Sequence, residues 1–505
     1  MTARALMVLG TGSDAGKSLT VAALCRILRQ DGFDVAPFKA QNMALNSFAT
    51  TAGHEIGRAQ AMQAQAAGIE PHVDMNPILL KPTSDIGSQV ILNGKVLGNY
   101  QGVDYYGLKD QLLEVVSAAY ERLAARHEIV VLEGAGSPVE MNLKDRDVVN
   151  LKMAEIANAA CMLVADIDRG GVFASLVGTY SLLETAERSR FCGFLINKFR
   201  GDLGLFTSGV DYLERKLDQP CLGVVPYLHN HGIDDEDSVS LERRAVKAPS
   251  EQGEKLIVCV VGFPYLANFT DFTALEQQPD VVVYYTRRRE EARLADVLIL
   301  PGSKNTISDL LWLKQNGWTT AIKDHVAAGK PLLGICGGFQ MLGDEIRDPY
   351  RTESDVKVAP GLGILKVKTS LAPEKITRQA SASFYASEES PKFTGYEIHL
   401  GETVLGEGVR PLFRLQRVGD DEVRCDGAVG GDGKVMGTYL HGLFDSADGL
   451  SWILDHWRRL LGKQLTQPVL DPKAERERRY DALADHFRRH MNLDLIYRAL
   501  EERRR

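Results

Sequence analysis

The first strand, loop and helix of the chain are predicted by the stretch ALMVLGTGSDAGKSLTVAALCRILRQ, residues 5–30. The apolar run 5–9 has the length of a buried strand, the glycine-rich segment after it predicts a tight turn, and helical periodicity follows. The same strand, loop and helix rhythm returns at 128–138, 161–171 and 191–202. Continuous apolar strands separated by helical segments indicate a parallel sheet that is covered on both faces. The N-terminal block is therefore predicted to be a doubly wound α/β domain.

A second α/β series starts with KLIVCVVGF at residue 255 and continues through ADVLILPGSKNT and PLLGICGGFQML. After residue 360 the strand candidates become shorter, which suggests a mixed sheet. Between the two blocks, a charge run with proline and small polar residues reads as an exposed linker. The predicted divisions are an N-terminal domain at 1–235, a linker at 236–254, a second domain at 255–450 and a helical, charged C-terminal tail at 451–505.

Composition narrows the classes of partner. The 505 residues carry a formal net charge of -8, which gives no general attraction to nucleic acid or to acidic lipid. The seven cysteines are scattered, with no C-x-x-C pair, which argues against a zinc site or a disulfide framework. The sequence shows no secretory apolar core near its start and no apolar run of about 18 residues that could span a membrane. We therefore expect a cytoplasmic protein that acts on small molecules, without a nucleic-acid or membrane partner.

The loop GTGSDAGKS at 10–18 is predicted to bind the phosphates of a nucleotide. The strict pattern G-x-x-x-x-G-K-[ST] requires glycine where Thr11 stands, so the loop is one residue longer when counted from Gly10. Backbone N–H groups, a lysine for the terminal phosphates, a hydroxyl for Mg²⁺ and a helix start are all present. A glycine-rich turn with a surface lysine is the alternative. The predicted nucleotide-binding residues are Gly12, Ser13, Gly16, Lys17 and Ser18.

Two further residues are candidates for the same site. Glu133, in LEGAGSP, ends a later strand at the edge where open α/β sheets bind ligands, and with Ser18 it is a candidate Mg²⁺ ligand. Lys39 follows another short strand and is a candidate for contact with the transferred phosphate. An ordinary loop carboxylate and a surface lysine are the alternatives.

The stretch GICGG at 334–338 has the G-x-nucleophile-x-G form of a strand-to-helix elbow. Such a turn exposes the sulfur of Cys336 at the end of a strand, and the N–H of Gly337 is then placed to donate to an oxyanion. A second donor is expected from the loop PGSKNT, as the N–H of Gly302 or Ser303. A small buried cysteine in a packed turn is the alternative.

A thiolate of this kind needs a base. His441, in GTYLHGLFD, ends an apolar strand candidate within the cysteine's own block and is the preferred candidate. His399, in GYEIHLGET, is the rival, and Glu397 beside it is a candidate acid for orienting the base. Either histidine alone would more often be a strand-end residue without chemical consequence.

The second block resembles the class I, triad-type glutamine amidotransferases, through the cysteine elbow, the PGS loop and the histidine. It departs from them where they carry His-x-Glu, because His441 is followed by Gly442 and Leu443. The first block resembles the dethiobiotin synthetase group, which shares the stretched phosphate loop and an E-G-A-G segment. Taken together, the chain closely resembles the cobyric acid synthase family, whose amidotransferase subgroup also lacks that glutamate. The motifs that carry this likeness include FKAQNMALNSF, MNPILLKPTSD, VADIDRGGVFAS, INKFRGD, GSKNTISDLLWL and GYEIHLG.

The resemblance implies a flavodoxin-like second domain and an ATP-, Mg²⁺- and glutamine-dependent amidoligase. It implies amidation of the b, d, e and g carboxylates of adenosylcobyrinic acid a,c-diamide to give adenosylcobyric acid. Asn197, in INKFRGD, matches the asparagine with which the dethiobiotin synthetase group reads the nucleotide base. The nearest alternative is cobyrinic acid a,c-diamide synthase, and a more remote one is a regulatory ATPase of the partition or septum-positioning kind.

Overall fold

The computed structural model describes residues 3–83, 87–101, 104–105, 107–229, 231–234, 254–387, 389–464 and 467–503. The chain forms two compact units. The first contains Met1–Ala44, Glu55–Ile233 and Glu477–Arg505, and the second contains Leu45–His54 and Asp234–Arg476. Of the predicted linker at 236–254, only Glu254 lies within the described residues.

The first unit is built on a six-stranded sheet in which every pairing is parallel. The strand Arg4–Gly10 lies near its centre, and its side chains alternate between two cores. Leu6 and Val8 pack on one face with the helix Lys17–Gln30, whereas Met7 and Leu9 pack on the other. The doubly wound prediction is confirmed. The strand order is Cys221–Pro226, Phe191–Phe199, Ala160–Asp166, Arg4–Gly10, Ile129–Glu133 and Val35–Phe38.

A smaller sheet in the same unit joins Gln41–Met43, Ile78–Pro82, Gly87–Leu92 and Lys95–Gln101. A short strand, Glu55–Gly57, precedes the second helix. The helices that begin in this unit are Lys17–Gln30, Arg58–Ala67, Lys109–Ala124, Leu151–Ile156, Val172–Leu182, Thr185–Arg188, Thr207–Leu217 and Leu493–Glu502.

The second unit contains another sheet, with the strand order Val281–Thr286, Leu256–Val261, Val297–Leu300, Leu332–Ile335, Val435–Thr438 and Ala428–Gly430. Its pairings are parallel except for the last one, which is antiparallel. A mixed sheet follows, as predicted, but the expectation of shorter strands is wrong for its central antiparallel pair, Val367–Phe384 and Phe393–Leu405, which have 18 and 13 residues. Its other strands are Glu345–Arg347, Val358–Pro360, Phe413–Arg417, Val423–Asp426 and Leu440–His441.

Short strands in the second unit are Ser47–Ala49, Leu266–Ala267 and Gly302–Ser303. The helices are Thr273–Glu276, Thr306–Gln315, Trp318–Ala327, Gly337–Leu342, Ala447–Leu461 and Pro472–His490, the last of which continues into residues of the first unit from Glu477 onward. None of the described helices is long and apolar enough to cross a membrane.

The C-terminal region differs from the separate tail that its charge predicts. The helix Ala447–Leu461 buries Leu450, Ile453 and Trp457 in the core of the second unit. Residues after Glu477 belong to the first unit, where Phe487 and other apolar side chains join the core beneath the sheet. Each of these helices has an apolar stripe beside its charged residues, and burial of the stripe fixes the helix to a core.

Candidate active sites: a phosphate loop and a buried cysteine

The phosphate loop needs glycine at the start of its helix. Gly16 has φ 99° and caps the helix Lys17–Gln30 in the left-handed region. A Cβ atom there would lie 2.1 Å from Nδ2 of Asn197, which donates to the carbonyl of Ala15 at 3.0 Å. The structure therefore places Asn197 against the loop, beside the predicted nucleotide-binding residues. Ser13 lies at the exposed rim of the loop.

Lys17 is buried and is held between two loops. Its Nζ donates to the carbonyl of Gly12 at 2.8 Å and to the carbonyl of Gly136 at 3.1 Å. Carbonyl oxygens carry no net charge, so these bonds position the ammonium group without neutralising it. The loop after the strand Ile129–Glu133 thus contributes directly to the placement of Lys17, the predicted phosphate ligand.

Glu133 is buried beneath the start of the same helix. Its Oε1 accepts a hydrogen bond from Oγ of Ser18 at 2.8 Å and forms an ion pair with Nζ of Lys39 at 2.9 Å. Octahedral Mg²⁺, with bonds of about 2.0–2.1 Å, puts adjacent ligand oxygens about 2.9 Å apart. The spacing between Ser18 and Glu133 fits two neighbouring ligand positions of that ion.

These residues do not by themselves provide all the ligands of a metal ion. Among the described residues, no group of three or more His, Cys, Asp and Glu side chains is gathered in a way that could hold a metal. One hydroxyl and one carboxylate suit Mg²⁺ instead, because this ion usually keeps several waters and binds substrate phosphates.

Gln63 belongs to this site, although the sequence analysis does not include it. It is fully buried on the helix Arg58–Ala67, and its Nε2 donates to Oε2 of Glu133 at 2.5 Å and to the carbonyl of Ser18 at 3.3 Å. The carboxylate is thereby fixed on both of its oxygens. The available signal was a pair of glutamines, Gln60 and Gln63, spaced three residues apart on an alanine-rich helix, because polar residues on one buried face require partners.

The elbow at the cysteine has the strained geometry that its glycines predict. Cys336 has φ 50° and ψ -110° between the strand Leu332–Ile335 and the helix Gly337–Leu342. A Cβ atom at Gly338 would lie 1.9 Å from the carbonyl oxygen of Leu300, and one at Gly334 would lie 2.8 Å from Gly338 itself. No side chain fits at either position, so both glycines are sterically required.

His441 lies beside the cysteine and is paired with an acid that its own neighbours do not supply. Its Nδ1 is 2.7 Å from Oδ2 of Asp271, and the N–H of Gly442 approaches the other oxygen at 3.4 Å. Nε2 is buried and lies beside the Cys336 side chain. Burial acts to lower the pKa of His441, but the Asp271 carboxylate and the neighbouring Cys336 raise it to about 10. The Asp271 carboxylate thus stabilises the protonated imidazole, the form that can give a proton from Nε2.

Asp271 is the carboxylate partner of His441 that sequence reasoning missed. It sits on the short 3-10 turn Phe269–Phe272, 170 positions before the histidine. A single aspartate in a loop between strands has no pattern that links it to a distant histidine. Only the fold brings the two together.

The oxyanion loop lies against the elbow. A Cβ atom at Gly337 would lie 3.0 Å from the backbone nitrogen of Ser303, whereas one at Gly302 would lie 3.6 Å from Cε1 of His441. Gly302 therefore faces the imidazole, and the backbone of Ser303 faces Gly337. The hydroxyl of Ser303 is anchored by Oδ2 of Asp309 at 2.5 Å.

His399 and Glu397 form a different pair. Nε2 of His399 is 3.2 Å from Oε1 of Glu397, and the guanidinium of Arg417 holds the same carboxylate at 2.6 and 3.1 Å. Burial acts to raise the pKa of Glu397, but His399 and Arg417 lower it to about 2. Glu397 is therefore paired with His399 and Arg417, and it is not the acid that orients His441.

Comparisons with known proteins agree with both halves of the chain. Residues 6–237 match the family model described as the CobQ/CobB/MinD/ParA nucleotide binding domain. Residues 257–449 match the model described as the CobB/CobQ-like glutamine amidotransferase domain. Both matches fall on the parts of the sequence from which the corresponding sites are built.

Near-full-length relatives are also found. The chain is 49% identical over 510 residues to a cobyric acid synthase of Syntrophobacter fumaroxidans, with 99% of each chain covered. It is 47% identical over 506 residues to a cobyric acid synthase of Salmonella choleraesuis, again with 99% of each covered. A cobyric acid synthase of Streptococcus sanguinis is 47% identical over 499 residues, which is 98% of this chain and 99% of the relative.

Proposed function

Because the chain belongs to the cobyric acid synthase family, we propose that it uses ATP and glutamine to amidate adenosylcobyrinic acid a,c-diamide. The b, d, e and g carboxylates are converted, and adenosylcobyric acid is the product. The observation that carries this proposal is that one chain holds both a phosphate loop around Lys17 and a Cys336, His441 and Asp271 arrangement. A ligase that makes amides from glutamine needs a site for each half of that task.

In the glutaminase half, the Cys336 thiolate attacks the side-chain amide carbon of glutamine. Backbone N–H groups of Gly337 and of the Gly302–Ser303 loop stabilise the oxyanion that forms. His441 then gives the proton on Nε2 to the leaving nitrogen, which departs as ammonia and leaves a thioester. Water hydrolyses the thioester with His441 as base, while Asp271 holds the ring in one tautomer throughout.

In the synthetase half, a carboxylate of the corrinoid attacks the γ-phosphorus of ATP and the bond to ADP breaks. The product is an acyl phosphate, from which ammonia displaces inorganic phosphate to form the amide. Lys17 stabilises the charge on the transferred phosphoryl group. Lys39 lies beside the Glu133 carboxylate, to which Ser18 also donates a hydrogen bond. Ser18 and Glu133 would hold Mg²⁺, which when bound would neutralise negative charge on the nucleotide phosphates. Asn197 contacts the base of the nucleotide.

Two variants test this division of labour. Cys336→Ala is expected to abolish synthesis from glutamine and to retain synthesis from ammonium salts, because only ammonia release needs the thiol. Lys17→Ala is expected to abolish synthesis from both nitrogen sources while glutamine hydrolysis persists. The readout is amide formation measured by mass spectrometry beside ammonia release. Loss of both activities in Cys336→Ala with native folding, or full synthesis by Lys17→Ala, would contradict the proposal.

A further inference from the structure

The first unit contains a cavity of about 1040 Å³ that no step described above assigns. Its walls come from the small four-stranded sheet, from the start of the helix Lys109–Ala124 and from the segments 135–140 and 143–150. Much of the lining is apolar. The apolar side chains include Leu80, Val90, Tyr100, Leu112, Leu143 and Val148.

The size of the cavity argues against an amino acid or a nucleotide as its occupant. Pockets for small ligands usually measure about 300–1,000 Å³, so this cavity lies at or beyond the upper end of that range. None of the phosphate-loop residues 10–18 lines it. A large, mostly apolar ring system is the kind of ligand that fills such a space.

One wall of the cavity is shared with the phosphate site. Ala135 and Gly136 line the cavity, and the carbonyl of Gly136 also holds Nζ of Lys17 at 3.1 Å. Asn150 fixes this wall, because its Oδ1 accepts from the N–H of Ala135 and its Nδ2 donates to the carbonyl of the same residue, both at 2.9 Å. A carboxylate that projects from the cavity at this wall therefore lies next to the lysine that handles the transferred phosphate.

The charged side chains that line the cavity differ in whether their charge is already paired within the protein. Lys144 is paired with Glu184 at 2.8 Å and with Glu187 at 3.0 Å. Oδ1 of Asp147 accepts backbone N–H groups at 2.9 and 2.8 Å. Lys109, by contrast, donates to the uncharged carbonyl of Asp145. Its positive charge thus meets no carboxylate among the described residues, and it is suited to receive one from a ligand.

We propose that this cavity binds the corrinoid, with the macrocycle against the apolar walls and one peripheral carboxylate held by Lys109. A second carboxylate then faces the Gly136 wall, where it is phosphorylated. The inference rests on the proposed function, because it takes the acid to be amidated as a macrocycle with several carboxylates. It adds the place where that acid binds and the residue that anchors it.

Equilibrium dialysis of cobyrinic acid a,c-diamide against the full-length protein, without ATP or glutamine, tests the site directly. Lys109→Met is expected to raise the Kd and the corrinoid KM about 10-fold or more, because a charge-assisted hydrogen bond is lost. Lys109→Arg should restore most of the binding. Ser88→Trp, whose ring would fill the cavity from the strand Gly87–Leu92, should prevent binding of the diamide.

Lys95→Met is the matched control, because Lys95 is an exposed lysine on the neighbouring strand and does not line the cavity. It should bind the diamide as the wild type does, and all variants should keep the wild-type KM for ATP and the wild-type glutaminase rate. Unchanged binding by both Lys109→Met and Ser88→Trp, in an enzyme whose wild type amidates the diamide, would overturn the cavity assignment. A wild type that hydrolyses glutamine but amidates no corrinoid would instead refute the proposed function.

Discussion

Replacing Asp271 with asparagine tests whether the glutaminase site is a triad whose acid comes from a distant turn. The carboxylate now accepts from Nδ1 of His441 with one oxygen, at 2.7 Å, and faces the N–H of Gly442 with the other, at 3.4 Å. An amide has only one oxygen, so it can face one of these two donors. Its NH₂ group is itself a donor, so it cannot form a hydrogen bond with whichever of Nδ1 of His441 and the N–H of Gly442 it faces.

The size of the effect follows from the bond that is lost. A hydrogen bond to a charged group is worth about 1.5–3 kcal/mol, which corresponds to about a 10- to 100-fold loss of kcat/KM for glutamine hydrolysis. The pH dependence should change as well. Asp271 raises the pKa of His441 to about 10, so its removal lowers that pKa and the imidazolium is lost at lower pH. The alkaline limb of the glutaminase profile should therefore move towards neutral pH.

The assay is ammonia release from glutamine across a pH series, with ammonium-dependent synthesis measured in parallel. Synthesis from ammonium salts should stay at the wild-type level, because among the described residues the Asp271 carboxylate is hydrogen-bonded to His441 and Gly442, both in the glutaminase site. Asp296→Asn is a matched control for general disturbance of the core, because Asp296 is a buried aspartate of the same unit that accepts from the N–H of Ile257 and from Nζ of Lys463. Wild-type kcat/KM in Asp271→Asn, with an unmoved alkaline limb, would refute the triad.

Three further substitutions test the physical basis of the second unit. Gly338→Ala should lower both the melting temperature and the glutaminase rate, since its Cβ atom would lie 1.9 Å from a carbonyl oxygen, whereas Gly178→Ala, with open space around its Cβ atom, should not. Arg417→Met should cost about 3 kcal/mol in the free energy of unfolding, because it leaves the buried Glu397 carboxylate poorly paired. Arg424→Met should cost much less, because the Arg424 guanidinium is half-exposed and its pairs with Asp420 and Glu422 are screened by solvent. Burial raises the pKa of Asp309 to about 7, so the folded state binds the extra proton between about pH 4 and 7 and its stability falls as pH rises through that window. Asp309→Asn should reduce this dependence without abolishing it, because burial also raises the pKa of Asp426 to about 6, and urea unfolding at several pH values measures the difference.

Each of these expectations has a contrary result. An active, stable Gly338→Ala enzyme would show that the elbow can open without loss. Equal costs for the two arginine variants would mean that burial of the Glu397 pair does not matter. A wild-type pH slope retained in Asp309→Asn would mean that another group titrates in that window.

The phosphate loop and the cysteine elbow could be predicted from the sequence because their requirements are local. A glycine in the left-handed region, a lysine at a helix start and a nucleophile between two glycines all lie within a few consecutive residues. The parallel sheets were predictable for the same reason, since buried strands appear as continuous apolar runs. The structure confirms these folds.

Asp271 and Gln63 could not be predicted in this way, because each acts on a residue that is far away in the chain. The distance from Asp271 to His441 is 170 positions, and Gln63 is 70 positions from Glu133. No periodicity links such pairs, and only tertiary packing sets their geometry. The C-terminal helices show the same limit, because their charge predicted a solvated tail and their apolar stripes decided where they pack.

Counting the new amides in the product distinguishes the two corrinoid amidations. The wild-type enzyme is incubated with adenosylcobyrinic acid a,c-diamide, ATP and glutamine labelled with ¹⁵N in its side-chain amide, and the product is analysed by mass spectrometry. We predict a product that carries four new labelled amides, at the b, d, e and g positions. Two amidations of the unamidated acid, with the a,c-diamide left unchanged, would contradict the account and assign the chain to the other corrinoid amidation.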